Sequence, residues 1–156
     1  MRKRLTRLRR RRSRRFLLDT NVFIAAFKSG WTRTTELLLE LLTNKEYELV
    51  GNSVQLEEYR RWSLKLSLEN PALQELVTIL YSLLKNKIKI VEPDREHLEA
   101  CMPYFPESEK ADLYHAATCL KAGATLVSND KHFDEIKWTG LIRVLKTSEA
   151  IREILG

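Results

Sequence analysis

Short apolar runs alternating with helix-periodic segments constrain this chain more than any other feature. Phe16-Leu-Leu18, Tyr47 to Val50, Ile88 to Val91, Thr125-Leu-Val127 and Ile142 to Leu145 have the length and apolar character of buried strands. Between them, residues 21–27, 31–43, 53–66, 71–84, 94–102, 108–122 and 147–155 place apolar side chains at helical spacing. Boundary residues agree: Thr20 and Asn52 can cap helices, Pro71 suits a helix's first turn, and Gly123 is a stop signal. The alternation predicts an α/β fold, a three-layer α/β/α sandwich whose mostly parallel sheet has about five strands and helices on both faces. At 156 residues the chain has enough length for one domain with its own core.

The charge is unevenly placed. The net charge is +6, yet residues 1–15 hold ten of the 27 Lys and Arg and no acid, leaving 17 basic against 21 acidic residues in 16–156. The expected organisation is a basic arm over 1–15, disordered when free, joined to an acidic domain over 16–156. Arg9, Arg10, Arg11, Arg12, Arg14 and Arg15 are the candidates for contact with a phosphate backbone. A solvated tail or a targeting peptide are the other readings of the same arm. No apolar run approaches a bilayer span, so no membrane role is expected. Two cysteines, Cys101 and Cys119, are too few for a disulfide scaffold, and a reducing cytoplasm is the expected compartment.

Four acids stand apart from an ordinary solvated surface. In open parallel sheets ligands collect at the carboxyl ends of strands, and Asp19 and Asp130 each follow a predicted strand. In the helix opening near Asn52, Val54, Trp62 and Leu66 form a stripe in which Glu58 takes the missing place. Asp112 lies in the first turn of the 108–122 helix, on a face continued by Ala116, Cys119 and Gly123, small residues that permit close approach to the sheet. Gathered carboxylates raise one another's pKa unless cations are present, and oxygen-rich acidic sites select Mg²⁺ or Mn²⁺. Such a site can hydrolyse phosphodiesters without a nucleophilic side chain, a Gly-rich phosphate loop or a Ser-His-Asp set, none of which is apparent. The spacing of His97 with Cys101 and of His115 with Cys119 also permits a zinc site. The preferred reading makes Cys119 a small buried residue and sets His115 at the cleft rim or against Asp112.

Leu18-Asp-Thr-Asn-Val-Phe-Ile24, Ser53 to Tyr59, Ala111-Asp-Leu-Tyr-His-Ala-Ala-Thr118 and Leu126 to Asp134 together resemble, in order, the PIN domains of metal-dependent ribonucleases, which include VapC-type toxins and RNA-processing nucleases. The resemblance implies a parallel sheet flanked by helices and endonucleolytic cleavage of RNA by a Mg²⁺- or Mn²⁺-bound acidic quartet. By position, Asp19 and Asp112 would be the principal ligands, completed by Glu58 and Asp130. Asn21 and Ser128 match buttressing polar positions, and Asp134 an acid sometimes near the site. The place two after Asp130, often an acid in the family, is His132 here. A binding module that does no chemistry is the competing reading. An antitoxin protein and a second copy of the chain are the expected protein partners, the latter because the Leu-rich helices between Leu37 and Leu84 carry surplus apolar surface.

Overall fold

The computed structural model describes residues 14–28 and 30–156. Five parallel strands form one sheet in the order β3-β2-β1-β4-β5. They are β1 (Arg15–Leu18), β2 (Glu48–Gly51), β3 (Lys89–Ile90), β4 (Thr125–Val127) and β5 (Val144–Leu145). The helices are α1 (Thr20–Lys28), α2 (Arg33–Thr43), α3 (Ser53–Glu69), α4 (Gln74–Lys87), α5 (Arg95–Cys101), α6 (Lys110–Ala122), α7 (Asp134–Thr139) and α8 (Thr147–Leu155). The expected α/β sandwich with a five-stranded parallel sheet is therefore present, with shorter outer strands and a 3₁₀ turn at Glu107–Glu109 ahead of α6.

Side chains of successive strand residues point to opposite faces, and here both faces are dry. Phe16, Leu18, Leu49, Val127 and Leu145 pack with α1, α2, α3, α4 and α8. Leu17, Val50, Leu126 and Val144 pack against α5, α6 and α7. Burial on both sides is why the strands read as unbroken apolar runs. The small faces of Ala116, Ala117 and Cys119 are fully buried, so α6 lies close on the sheet as its composition suggests.

The chain winds outward from β1 to β2 and β3, then returns to place β4 on the other side of β1. The carboxyl ends of β1 and β4 are thus neighbours at the point where the winding reverses, the usual ligand position in such sheets. Asp19 N donates to Val127 O at 2.9 Å and Ser128 N to Leu145 O at 3.0 Å, extending the ladders past the strands into this crevice.

Two boundary expectations need correction. Arg15 belongs to β1 and not to a free arm: it is in register with Glu48, pairs with that carboxylate at 2.8 Å, and its Nη1 donates to Ala122 O at 3.1 Å. Arg14 also joins the sheet edge, its carbonyl accepting from Glu48 N at 2.8 Å. Arg9, Arg10, Arg11 and Arg12 lie outside the described residues. Thr20 does not cap α1 but is its first residue, and Asp19 takes the capping role, Oδ1 accepting from Thr20 N at 2.7 Å.

Gly51 closes β2 where α3 and the end of α4 converge. A Cβ there would run into Gln55 Oε1 and lie 2.9 Å from Ile88 Cγ2. Gln55 cannot withdraw freely, because its Nε2 donates to Leu18 O beneath Asp19, as does the hydroxyl of Tyr59. G51A should therefore cost about 1–3 kcal/mol of overpacking, read as a lower midpoint in urea with an unchanged slope.

Candidate active site

Each acid reaches the crevice by a different route. Asp19 leaves β1 only 7% exposed, with Oδ1 on Thr20 N at 2.7 Å and Oδ2 accepting from Ser128 Oγ at 2.6 Å. Ser128, buried after β4, also accepts from Asp130 N at 3.0 Å and from Asn21 Nδ2 at 3.4 Å. One hydroxyl thereby ties the ends of β1 and β4 together. Ser128 therefore contacts Asp19 directly, whereas Asn21 reaches it only through the Ser128 hydroxyl. Asn21 Oδ1 is buried without a hydrogen-bond partner among the described residues.

Glu58 is in the crevice, but not for the reason its spacing suggests. The buried residues of α3 are Gln55, Tyr59, Ser63 and Leu66, while Val54 is exposed, so the buried stripe is rotated one residue from the expected one. Glu58 flanks that stripe with its side chain 17% exposed. Its Oε2 accepts from Thr20 Oγ1 at 2.7 Å and its Oε1 faces His115 Nε2 at 3.1 Å. Asp112 projects from the first turn of α6, where the helix dipole favours an acid. Its Oδ2 meets His132 Nδ1 at 2.8 Å.

His132 brings a group that sequence reading passed over. Its two ring nitrogens face Asp112 at 2.8 Å, Asp130 Oδ1 at 3.2 Å and Glu109 Oε1 at 2.9 Å. Glu109, from the turn before α6, carries no motif of its own and is found only by this contact. The ligand atoms of Glu109, Asp112 and His132 all lie within 4.8 Å of one another, a set able to hold a metal ion. Asp134 stands apart, exposed in the first turn of α7. The zinc reading fails on geometry: His115 is buried against Asn52 and Glu58, not at the rim or on Asp112. Burial also raises the Cys101 thiol to about 11 and that of Cys119 further, so both are held as thiols.

The electrostatics separate the acids. Burial raises the Asp19 pKa against the hydrogen bond from Ser128, with the nearby Asp112 charge adding to the rise. Asp112 is raised by burial and by Asp130, partly offset by His132. His132 is raised chiefly by its hydrogen bond to Asp112. Glu58 is the exception: burial pushes it up, but the hydrogen bonds from His115 and Thr20 with the neighbouring charge outweigh this and hold it below its ordinary value. Buried acids that resist ionisation beside an orphaned acceptor are groups that a hard divalent cation would satisfy.

The PIN domain family matches residues 16–139, from β1 through α7. The chain belongs to the PIN domain family. This is a family of nucleases, and the match spans all the acids just described. None of the curated proteins matches the sequence. Among solved structures, VapBC2 from Rickettsia felis bound to a promoter DNA fragment aligns at a TM-score of 0.57 and 17% identity, over 85% of this chain and 98% of that one. VapBC-1 from nontypeable Haemophilus influenzae gives 0.57 and 19%, over 86% and 98%. FitAB bound to an IR36 DNA fragment gives 0.50 and 19%, over 85% and 94%. At these identities the likeness is one of fold.

The raised Asp19 pKa has a sign for stability. Between the ordinary value of 3.8 and the raised one, the PIN fold holds a proton that the unfolded chain has released, so stability falls as pH rises through that window. Glu58 acts oppositely: its contribution is present above the ordinary 4.5 and is lost as pH falls through its lowered value. With chelator present, D19N should therefore melt above wild type at pH 7, the gap closing as pH approaches 3.8. Thermal scans across pH check this, and a pH-independent difference would show that the Asp19 charge is not what costs.

Proposed function

We propose that the protein is a divalent-cation-dependent endoribonuclease that hydrolyses RNA phosphodiester bonds, with Asp19, Glu58, Asp112 and Asp130 holding Mg²⁺ or Mn²⁺. The observation that carries this reading is Asp19 itself. A carboxylate 7% exposed, held by two hydrogen bonds at the switch point and raised by burial and by Asp112, is arranged for a cation. The donor set fits: carboxylate oxygens supplemented by the orphaned Asn21 Oδ1 are hard ligands suited to Mg²⁺ or Mn²⁺. When bound, the cation supplies charge stabilisation at the phosphodiester and makes a water more acidic.

The chain's own residues prepare the site. Ser128 and the Thr20 amide fix both oxygens of Asp19, so its orientation costs nothing at the moment of reaction. Thr20 Oγ1 links the same turn to Glu58 on α3. His132 bridges Glu109, Asp112 and Asp130, limiting their mutual repulsion where substrate phosphates must approach.

A toxin paired with an antitoxin fits better than a processing nuclease, since the fold neighbours are VapBC and FitAB assemblies. Exposed Leu64 and Leu68 on α3 and Leu76, Ile79 and Leu83 on α4 give an antitoxin or a second copy an apolar surface to cover. Among the described residues no helix is long and apolar enough to cross a membrane, and the cytoplasm is the compartment that supplies both RNA and such partners.

Incubation with mixed RNA and Mn²⁺ tests the assignment. Wild type should cleave, and D19N and D112N should each lower the rate at least about 100-fold, the loss of several kcal/mol of transition-state stabilisation. Removing residues 1–13 should preserve cleavage while reducing the slope of log affinity against log salt by about 0.7 for each phosphate no longer neutralised. Intact RNA with undiminished binding would overturn the enzyme in favour of a binding module.

A further inference from the structure

Behind Glu58 runs a chain of buried polar groups whose protons can be placed one by one. Asn52, His115 and Thr118 are all at most 1% exposed, so an unpaired polar atom on any of them would be costly. The side-chain amide of Asn52 has only one possible orientation, because its Oδ1 accepts from Gln55 N at 2.8 Å as the N-cap of α3. Its NH₂ group then faces Thr118 Oγ1 at 3.0 Å and His115 Nδ1 at 3.1 Å. Thr118 donates its own proton to Val91 O at 3.1 Å, so towards Asn52 it is an acceptor. His115 Nδ1 must likewise accept, since two donors cannot face each other, and the ring's proton is left on Nε2. That proton points at Glu58 Oε1, 3.1 Å away, while Thr20 Oγ1 holds Oε2 from the other side at 2.7 Å.

We infer that His115 is a positioning residue that orients Glu58 for cation binding, and that Asn52 sets the imidazole tautomer that lets it do so. The inference rests on the reading of Glu58 as a cation-holding acid. Backbone groups anchor both ends of the chain, Gln55 N–H at Asn52 and Val91 C=O at Thr118, so the direction of every hydrogen bond between them follows from the fold. An imidazole that only filled space would need no donor on Nδ1. Here that donor is supplied by a fully buried amide, an arrangement that also fixes the orientation of imidazoles ligating metals directly.

Two measurements on the full chain test this. Long-range ¹H–¹⁵N correlation spectra of the wild type should show the His115 ring with its proton on Nε2; a proton on Nδ1 instead overturns the proposal whether or not any variant folds. Mn²⁺ affinity, by calorimetric titration without RNA, should fall about 10–100-fold in H115L and largely recover in H115Q, whose amide can still donate towards Glu58. In an E58Q background, H115L should cause no further loss, because the effect passes through Glu58. Equal losses in both backgrounds, or a folded H115L with wild-type affinity, overturn the proposal, as does a wild type that binds Mn²⁺ no better than E58Q. Cleavage is not read, so a chain that binds Mn²⁺ as expected yet cuts no RNA fails the nuclease reading alone.

Discussion

Burying the Asp19 carboxylate is the costly act around which this end of the molecule is arranged. A charge removed from water needs donors, and those available come from the start of α1 and from Ser128 after β4. The first is the next residue in the chain, but Ser128 is within reach only because β1 and β4 are parallel neighbours, which requires the winding to reverse between them. The crossover, the alternation of buried faces and the short loops after the strands are therefore one solution to one problem. Leu18 shows the same economy beneath the acid, its carbonyl accepting from both Gln55 and Tyr59 and locking α3 to the end of β1.

Glu58 and Asp112 show how two acids of one crevice come to differ. Each is partly buried, and burial alone would raise both. Glu58 is met at both oxygens by partners built into the fold, Thr20 Oγ1 and His115 Nε2, and its charge is accommodated in advance. Asp112 instead relies on His132, which is itself half-exposed and shared with Glu109 and Asp130. The first acid is rigidly placed, whereas the second depends on a group that incoming ions or phosphates can compete with.

Much of this was legible in the sequence because strand order and strand ends leave strong patterns. Apolar runs ending in Asp19 and near Asp130 located the crevice, and the small residues after Asp112 correctly indicated the face α6 turns to the sheet. Glu58 was reached by a stripe one residue out of phase, since the true one contains Gln55 and Ser63, polar residues that periodicity counts as solvent-facing. Gln55 is buried because the end of β1 offers it the Leu18 carbonyl, which apolar spacing cannot register, whereas Ser63 Oγ is buried with no hydrogen-bond partner among the described residues. The position of His115 is not legible for a related reason: its partner Asn52 reads as an ordinary helix cap, and nothing local reveals that the cap's amide has a second use. Glu109 and His132 meet only through tertiary structure, from a turn before α6 and a turn after β4.

The division of charge acquires a direction once the strands are in place. All five strands run the same way, so the acids gather at the carboxyl edge while the chain enters β1 from the amino edge, where Arg15 is already paired with Glu48. The four steps from Arg15 to Asp19 span roughly 13 Å at about 3.3 Å per residue. That exceeds the screening length of about 8 Å at physiological salt, so Arg15, already paired with Glu48, does little to neutralise the acidic crevice.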